Sequence, residues 1–279
     1  MGGILYKYGA YGFEKGYAIF CECERQLARL QIYHLVNSLR AGDRPRECQP
    51  TPPAGRTLVE FATAAWTPFH GRFFRDKSVP GHHREPAWLA FAERLEQILT
   101  QQADAPLETI VEVVFDELVT APLARYLEHE RPDWEAPCPF GAFRYDAHDS
   151  YVALHFHNAY MPESPFAQPR RLVASLCDII DDIDQRGLTI ERIGVDSWID
   201  YLPPFQALFP AEFAASLTPT DPDNKAGNGW WGQFIQRTGE LNEPRAQRLR
   251  QTRRFDYVRT HGECSFAAFR GHVRRMRHG

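Results

Sequence analysis

The stretch FRYDAHDSYVALHFH, from Phe143 to His157, decides the fold class because apolar and polar residues alternate along it. This period of two predicts strands over Phe143–Asp146 and Tyr151–His157, joined by a turn at residues 147–150. Alternate residues of a strand point to opposite faces of the sheet. One face of the second strand therefore carries Val152, Leu154 and Phe156, and the other carries Ala153, His155 and His157.

A helix and a third strand follow this hairpin. Residues Pro169–Arg186 repeat apolar side chains with the period of a helix, and Gly187 is the residue type that commonly ends one. A strand over Thr189–Val195 completes a strand–helix–strand unit. Such a unit predicts a mixed sheet backed by a helix.

The first half of the chain has helical periodicity instead, for example from Cys23 to Leu39 and onward from Pro86. A proline-rich stretch, RPDWEAPCP at Arg131–Pro139, separates the two patterns. The sequence therefore predicts an α+β protein. A mostly helical domain at residues 1–135 precedes an α/β domain at residues 136–279, which ends in a basic segment.

Composition excludes several classes of protein. The 279 residues carry a formal net charge of −4, with 43% hydrophobic and 24% charged residues, as in ordinary globular proteins. No run of about 18 apolar residues occurs, and the N-terminus lacks the apolar core of a signal peptide. We therefore expect a cytoplasmic protein with reduced thiols and no membrane segment.

The charge is unevenly distributed along the chain. From Arg245 to Gly279, ten arginines and two acidic residues give +8, which leaves −12 on residues 1–244. No nucleic-acid-binding motif accompanies these arginines. The pattern therefore favours a helix that docks on an acidic neighbour, such as the Asp178–Asp184 row, or a self-association surface, over a nucleic-acid site.

His155 and His157 are the first candidates for chemistry. On one strand face they lie about 6.5–7 Å apart, close enough to bind one metal ion together. Glu163 could add a carboxylate, which would complete the ligand set of a non-haem iron site for Fe(II) or another divalent metal. Two alternatives stay open: a histidine general base without a metal, and histidines that only hydrogen-bond on a polar sheet face.

Ser197 and three tryptophans are the other candidates. Ser197 follows the third predicted strand, at the end where open α/β sheets place functional residues, and is a candidate nucleophile. Trp230 and Trp231 follow a glycine-rich loop, and such aromatic side chains either line a ligand cleft or belong to the core. The candidate substrate-binding residues, in a cleft between the two halves, are Arg144, Trp198, Trp230 and Trp231.

Over about residues 140–215 the chain resembles an uncharacterised bacterial family of acyltransferase-domain proteins with a GNAT-like fold. The segments that carry the resemblance are FGAFRYD, ALHFHN and GVDSWIDYLPPFQALFP. Within them, His155, Ser197 and Trp198 match the better-kept positions of the family. The resemblance implies a GNAT-like C-terminal half and acyl transfer from acyl-CoA. The glycine-containing turn that holds the CoA pyrophosphate in GNAT proteins has no counterpart in this chain.

Three functions follow, in order of preference. The first is a small-molecule enzyme with a GNAT-like half, transferring an acyl group with His155 or His157 as general base. The second is a metal-dependent enzyme of the iron oxygenase type, centred on His155, His157 and Glu163. The third is a non-catalytic binding protein. The expected partner is a small molecule, and these patterns specify neither the substrate nor the oligomeric state.

Overall fold

The computed structural model describes residues 13–45, 51, 55–74, 86–130, 140–220 and 225–278. It confirms the predicted α+β class, with helices in the N-terminal half and a five-stranded mixed sheet in the C-terminal half. The proline-rich stretch at 131–139 lies outside the described residues, so the domain division at residue 135 stays a prediction.

In the N-terminal half, the described helices surround one apolar core. Each buries one stripe: Leu35 and Val36 come from the first helix, and Trp88 and Phe91 from the third. Burial of such side chains contributes about 1.5–3 kcal/mol each, which short helices need because propensity alone leaves them marginal. The elements are α1 Phe13–Arg40, α2 Leu58–Trp66, α3 Pro86–Gln101, α4 Leu107–Val114 and α5 Thr120–Glu130, with π-helical turns at His70–Phe74 and Phe115–Val119.

The C-terminal half contains the sheet and its helices. The strands run in the order β1-β2-β3-β5-β4; β2 and β3 are parallel, and the other neighbours are antiparallel. The elements are β1 Phe143–His148, β2 Tyr151–Phe156, α6 Pro169–Gln185, β3 Arg192–Ser197, α7 Pro203–Gln206, α8 Ala211–Ser216, β4 Thr218–Pro219, α9 Asn228–Trp231, α10 Glu243–Thr252, β5 Thr260–Ser265 and α11 Phe266–His278.

The predicted hairpin, crossover helix and third strand are all present. Asp149 takes a left-handed conformation in the hairpin turn, and Gly187 takes one after α6. Leu188 N–H then bonds to Ile183 O and Gly187 N–H to Asp184 O, which satisfies carbonyls left open at the helix end. Strand β5 was missed by the sequence analysis, which expected only short helices before the basic end.

The two faces of the sheet differ in character. One face, with Val152, Leu154, Ile193 and Val195, packs on α6 and α11. The opposite face carries polar, partly exposed side chains, and we call it the polar sheet face. It includes Arg144, Asp146, Tyr151, His155, Arg192, Asp196, His261 and Glu263.

The two halves of the chain share a third apolar cluster. Cys23, Leu27 and Leu30 of α1 pack against Trp231, Phe234, Ala246 and Leu249 from the C-terminal half. Polar contacts join the same elements: Asn37 Nδ2 donates to Arg250 O at 2.9 Å, and Arg253 Nε to Asp43 Oδ2 at 2.8 Å. The C-terminal half is therefore anchored directly on α1.

The basic end docks on an acidic neighbour, as predicted. Arg270 and Arg274 of α11 both form ion pairs with Asp184 of α6. These ion pairs neutralise part of the positive charge that the sequence carries from Arg245 to Gly279. None of the described helices combines the length and the apolar composition that crossing a bilayer requires.

Candidate functional site

His155 and His157 occupy different environments. Strand β2 ends at Phe156, so His157 lies beyond it, 5% exposed, with its backbone N–H bonded to Ala142 O. His155 remains on the polar sheet face, where its Nε2 lies 2.7 Å from Asp146 Oδ2. Burial raises the pKa of Asp146, but hydrogen bonding and attraction from His155 outweigh this effect and lower it overall.

The proposed metal-ligand set does not assemble. Glu163 Oε2 accepts a hydrogen bond from Gln168 Nε2 at 2.9 Å, and His155 is engaged by Asp146. The described residues contain no group of three or more His, Cys, Asp or Glu side chains placed to hold a metal ion. His155, His157 and Glu163 therefore do not form a metal-ligand cluster in this fold.

Ser197 and Trp198 both make local contacts at the end of β3. Ser197 Oγ accepts a hydrogen bond from Ile199 N–H at 3.3 Å, which fits a turn that ends the strand. Trp198 Nε1 donates to Gly229 O at 3.1 Å, and its ring lies 5.5 Å from that of Tyr257. Arg144 lies opposite His155 in the register of β1 and β2, on the polar sheet face.

The two adjacent tryptophans have separate roles. Trp231 is fully buried in the cluster that joins the halves, and its Nε1 donates to Lys225 O at 2.9 Å. Trp230 Nε1 donates to Tyr257 O at 2.7 Å, and this residue lines a cavity. The sequence left open whether these tryptophans belong to the core or line a ligand cleft. In the structure, Trp231 belongs to the core and Trp230 lines the cavity.

The cavity lies between the two halves, on the face of α1 opposite its N-terminal core. Its volume is about 670 Å³, within the range of small-molecule sites. It lies where the sequence analysis expected a cleft, but of the three candidate tryptophans only Trp230 is in its lining. The lining residues are His34, Ser38, Gly42, Asp43, Arg44, Trp66, Lys225, Trp230, Arg253, Arg254, Phe255 and Val258.

The charge of this lining is strongly positive. Among the residues that the structure describes, the lining contains Arg44, Lys225, Arg253 and Arg254, against the single carboxylate of Asp43. Asp43 is bonded to Arg253, and no ion pair involves Arg44 or Arg254 among the residues that the structure describes. Both of these arginines are exposed, and so they mark the solvent side of the cavity.

His34 lies at the inner side. It is 2% exposed, and its ring centroid is 6.3 Å from that of Trp66 and 5.8 Å from those of Trp231 and Phe255. Burial, followed by the positive charges of Lys225 and Arg253, lowers the pKa of His34 to about 3. The imidazole is therefore neutral at physiological pH.

His34 was not among the residues predicted from the sequence, where the candidate histidines were His155 and His157. A signal was nevertheless present in the helical pattern. His34 follows Leu27 and Leu30 at spacings of seven and four residues, which places it on the stripe that α1 buries.

Asp200 is the second group that the sequence analysis missed. It lies just after β3, is fully buried, and its Oδ1 has no hydrogen-bond partner in the described part of the chain. Burial raises its pKa to about 8, against smaller opposing effects of Ser197 and Thr260. Thr260 Oγ1, with one proton to donate, lies 3.0 Å from Ser197 O and 3.4 Å from Asp200 Oδ2. Thr260 Oγ1 is the donor toward both oxygens, and its hydrogen bond to Asp200 offsets only part of the effect of burial.

Comparison of the chain with protein-family models, with curated proteins and with solved structures found no significant match.

Proposed function

We propose that the protein binds an anionic small molecule in the cavity between α1 and residues 225–258. The observation that carries this proposal is the lining itself, whose described residues place four basic side chains and one carboxylate around about 670 Å³. A surplus of like charge around a concave space costs stability in the empty protein, and a bound anion removes that cost.

The exposed position of Arg44 and Arg254 supports the same proposal. Guanidinium groups present several donors in a fixed plane, which matches carboxylate and phosphate oxygens. Arg253 is less suited to bind the anion, because Asp43 already occupies its Nε. The two exposed arginines are therefore the residues we assign to anion capture.

The test is a titration of the purified protein with anionic probes, followed by calorimetry at two salt concentrations. The probes are inorganic phosphate, a naphthalene sulfonate, AMP, coenzyme A and acetyl-CoA. We expect the double variant Arg44→Gln/Arg254→Gln to weaken binding at least ~10-fold, since each charged hydrogen bond contributes about 1.5–3 kcal/mol.

The matched control is Arg275→Gln, an exposed arginine on α11 outside the cavity lining. Its affinity for the same probes should equal that of the unmodified protein. Failure of every probe to bind, or equal binding by the double variant and the control, would contradict the proposal.

Acyl transfer with a histidine general base is the second candidate function. The observation that favours it is the His155–Asp146 pair, since a carboxylate that orients an imidazole is the usual arrangement of a general base. An acyl-CoA donor is both anionic and aromatic at its nucleotide end, which suits the lining of the cavity. The metal-dependent alternative has no such support, because its three ligands do not cluster.

Acyl transfer is tested by thioester consumption with a panel of acyl-CoA donors, together with a thermal shift on addition of CoA. His155→Ala should abolish consumption without lowering the melting temperature, because His155 is partly exposed. A protein that neither consumes any thioester nor shifts with any CoA would contradict this second proposal and leave the first to be decided by the other anions.

A further inference from the structure

The innermost polar group of the cavity, the imidazole of His34, indicates the kind of molecule that the cavity takes. Neither ring nitrogen has a hydrogen-bond partner among the described residues. Gln31, one turn earlier on α1, is fully buried, and its amide oxygen and nitrogen also have no partner there. Of these two residues, only His34 is among those that line the cavity. Buried polar groups are nearly always hydrogen-bonded, and a ligand is the partner that a cavity-lining group can obtain.

The neutral state of His34 restricts what that ligand presents to it. A neutral imidazole offers one donor and one acceptor, but it carries no charge with which to hold an anion. The depressed pKa that follows from burial keeps this state at physiological pH. The ligand atom that meets His34 therefore needs to be a hydrogen-bond donor or acceptor and not an ion.

The walls beside His34 are aromatic. Trp66 and Trp230 are each 4% exposed, and Phe255 lies with its ring centroid 4.8 Å from that of Trp230. Aromatic walls favour planar rings, because stacked and edge-to-face contacts add to the apolar area that is buried. A planar ring with polar atoms on its edge fits both these walls and the imidazole.

The solvent side of the cavity carries charged groups instead of aromatic rings. Arg44 and Arg254 are exposed there, and two guanidinium groups can share the oxygens of one phosphate. From solvent inward, the cavity thus offers two exposed guanidinium groups, then aromatic walls with the Lys225 ammonium 5.9 Å from the Trp66 ring centroid, and then the neutral donor and acceptor of His34.

We infer that the cavity takes a phosphorylated heteroaromatic molecule of the nucleoside monophosphate class, its phosphate at Arg44 and Arg254 and its ring edge at His34. This inference rests on the proposed function and narrows it to a ligand class. His34 is the residue that selects the ring, and the two arginines hold the phosphate whatever the ring is.

The experiment compares ligands that share the phosphate but differ in the ring. AMP, GMP, CMP, UMP and ribose 5-phosphate are titrated into the unmodified protein, His34→Phe and His34→Gln, with folding checked by thermal melting. Phe removes the donor and acceptor but keeps an apolar ring, whereas Gln keeps both polar functions. We expect His34→Phe to weaken the preferred nucleotide ~10-fold, in line with loss of a buried hydrogen bond, and His34→Gln to restore part of this loss. Ribose 5-phosphate should bind all three proteins equally.

Two results would overturn the inference. One is that no nucleotide binds more tightly than ribose 5-phosphate, and the other is that His34→Phe weakens nucleotides and ribose 5-phosphate alike. If the naphthalene sulfonate still binds in an Arg44- and Arg254-dependent manner, only the ligand class is wrong. If neither that probe nor any phosphate compound binds in this manner, the proposed anion site fails as well. Should His34→Phe not fold, the His34→Gln variant and the comparison with ribose 5-phosphate decide the question.

Discussion

The polar sheet face and the cavity carry similar side chains, but the charges are arranged differently in the two regions. On the sheet face, charges of opposite sign lie side by side: His155 with Asp146, Arg192 with Glu263, and Arg259 with Asp196. In the described part of the cavity lining, one carboxylate faces four basic groups. A cluster of histidines and carboxylates can thus be satisfied within the protein itself. A surplus of one charge around a concave space is the stronger indication of a ligand.

Burial also favours the neutral form of two titratable groups, one just beyond the end of β3 and one in the cavity. The pKa of Asp200 is raised to about 8 beside the end of β3, and that of His34 is lowered to about 3 in the cavity. His34 lines a space that a small molecule can enter, whereas Asp200 is not among the cavity-lining residues. Burial alone therefore does not distinguish a binding residue from a structural one.

The largest expected effect concerns Trp231, which lies behind the cavity and joins the halves. Trp231→Ala should lower the free energy of unfolding by about 3–5 kcal/mol, because it removes a fully buried ring from the shared cluster. Tyr201→Ala, at a position that is 40% exposed, is the control and should change it by less than about 0.5 kcal/mol. Urea denaturation measures both. Equal effects of the two substitutions would show that the shared cluster does not hold the cavity region in place.

The next effect is the loss of stability with rising pH that Asp200 causes. Its pKa is about 8 in the folded protein against 3.8 as the ordinary value, so the folded state retains a proton that the unfolded state has released. Stability should therefore fall as pH rises between these values, by about 1.4 kcal/mol per pH unit from this group. Between pH 5.5 and 7.5, Asp200→Asn should avoid a loss of about 3 kcal/mol that the unmodified protein suffers.

Denaturant midpoints at these two pH values measure the Asp200 effect, and Asp178→Asn, a change at an exposed carboxylate on α6, is the control. Parallel pH profiles for the unmodified protein and Asp200→Asn would mean that Asp200 is already ionised in the folded state.

A smaller effect of opposite direction is expected for His34. Its folded pKa lies below the ordinary value of 6.5, so the unfolded state gains a proton first as pH falls. Stability should drop by about 1.4 kcal/mol between pH 6 and pH 5 because of this residue, and His34→Phe should abolish that part of the drop. The free energy of unfolding at the two pH values gives the answer. An unchanged acid slope in His34→Phe would contradict the neutral, buried imidazole.

The smallest effect belongs to the polar sheet face. The His155 and Asp146 side chains are 41% and 57% exposed, and exposed ion pairs contribute at most about 1 kcal/mol. A double-mutant cycle with His155→Ala and Asp146→Asn should therefore give a coupling energy below about 1 kcal/mol. A coupling well above this value would show that the face is covered in solution, and would make the pair a stronger candidate for function.

Much of the fold was predictable because it depends on local pattern. Strands β1 and β2, helix α6 and the docking of the arginine-rich α11 on Asp184 all follow from periodicity or charge that neighbouring residues display. Strand β5 was missed because its six residues, THGECS, include few apolar side chains and a central glycine. These residues form a strand because they pair with β3, which lies some 70 residues earlier in the chain.

The candidate site was less predictable for a related reason. Short motifs made His155, His157 and Ser197 candidates. In the structure, His155 lies on the polar sheet face, His157 is buried beyond the end of β2, and Ser197 lies in a local turn. The cavity draws on residues 34–44, Trp66 and residues 225–258, and no short window of the sequence brings these segments together.

The sequence by itself determined the class of fold, the order of β1, β2, α6 and β3, and the surplus of arginine near the C-terminus, because periodicity and composition are local properties. Only the tertiary structure decided which charges are neutralised by neighbours and which remain around an open space. That outcome depends on how α1 packs against Trp231 and Leu249, which is a matter of distance in space rather than of spacing along the chain. The same packing buries His34 and thereby sets its charge, so the chemistry of the cavity is a consequence of the fold.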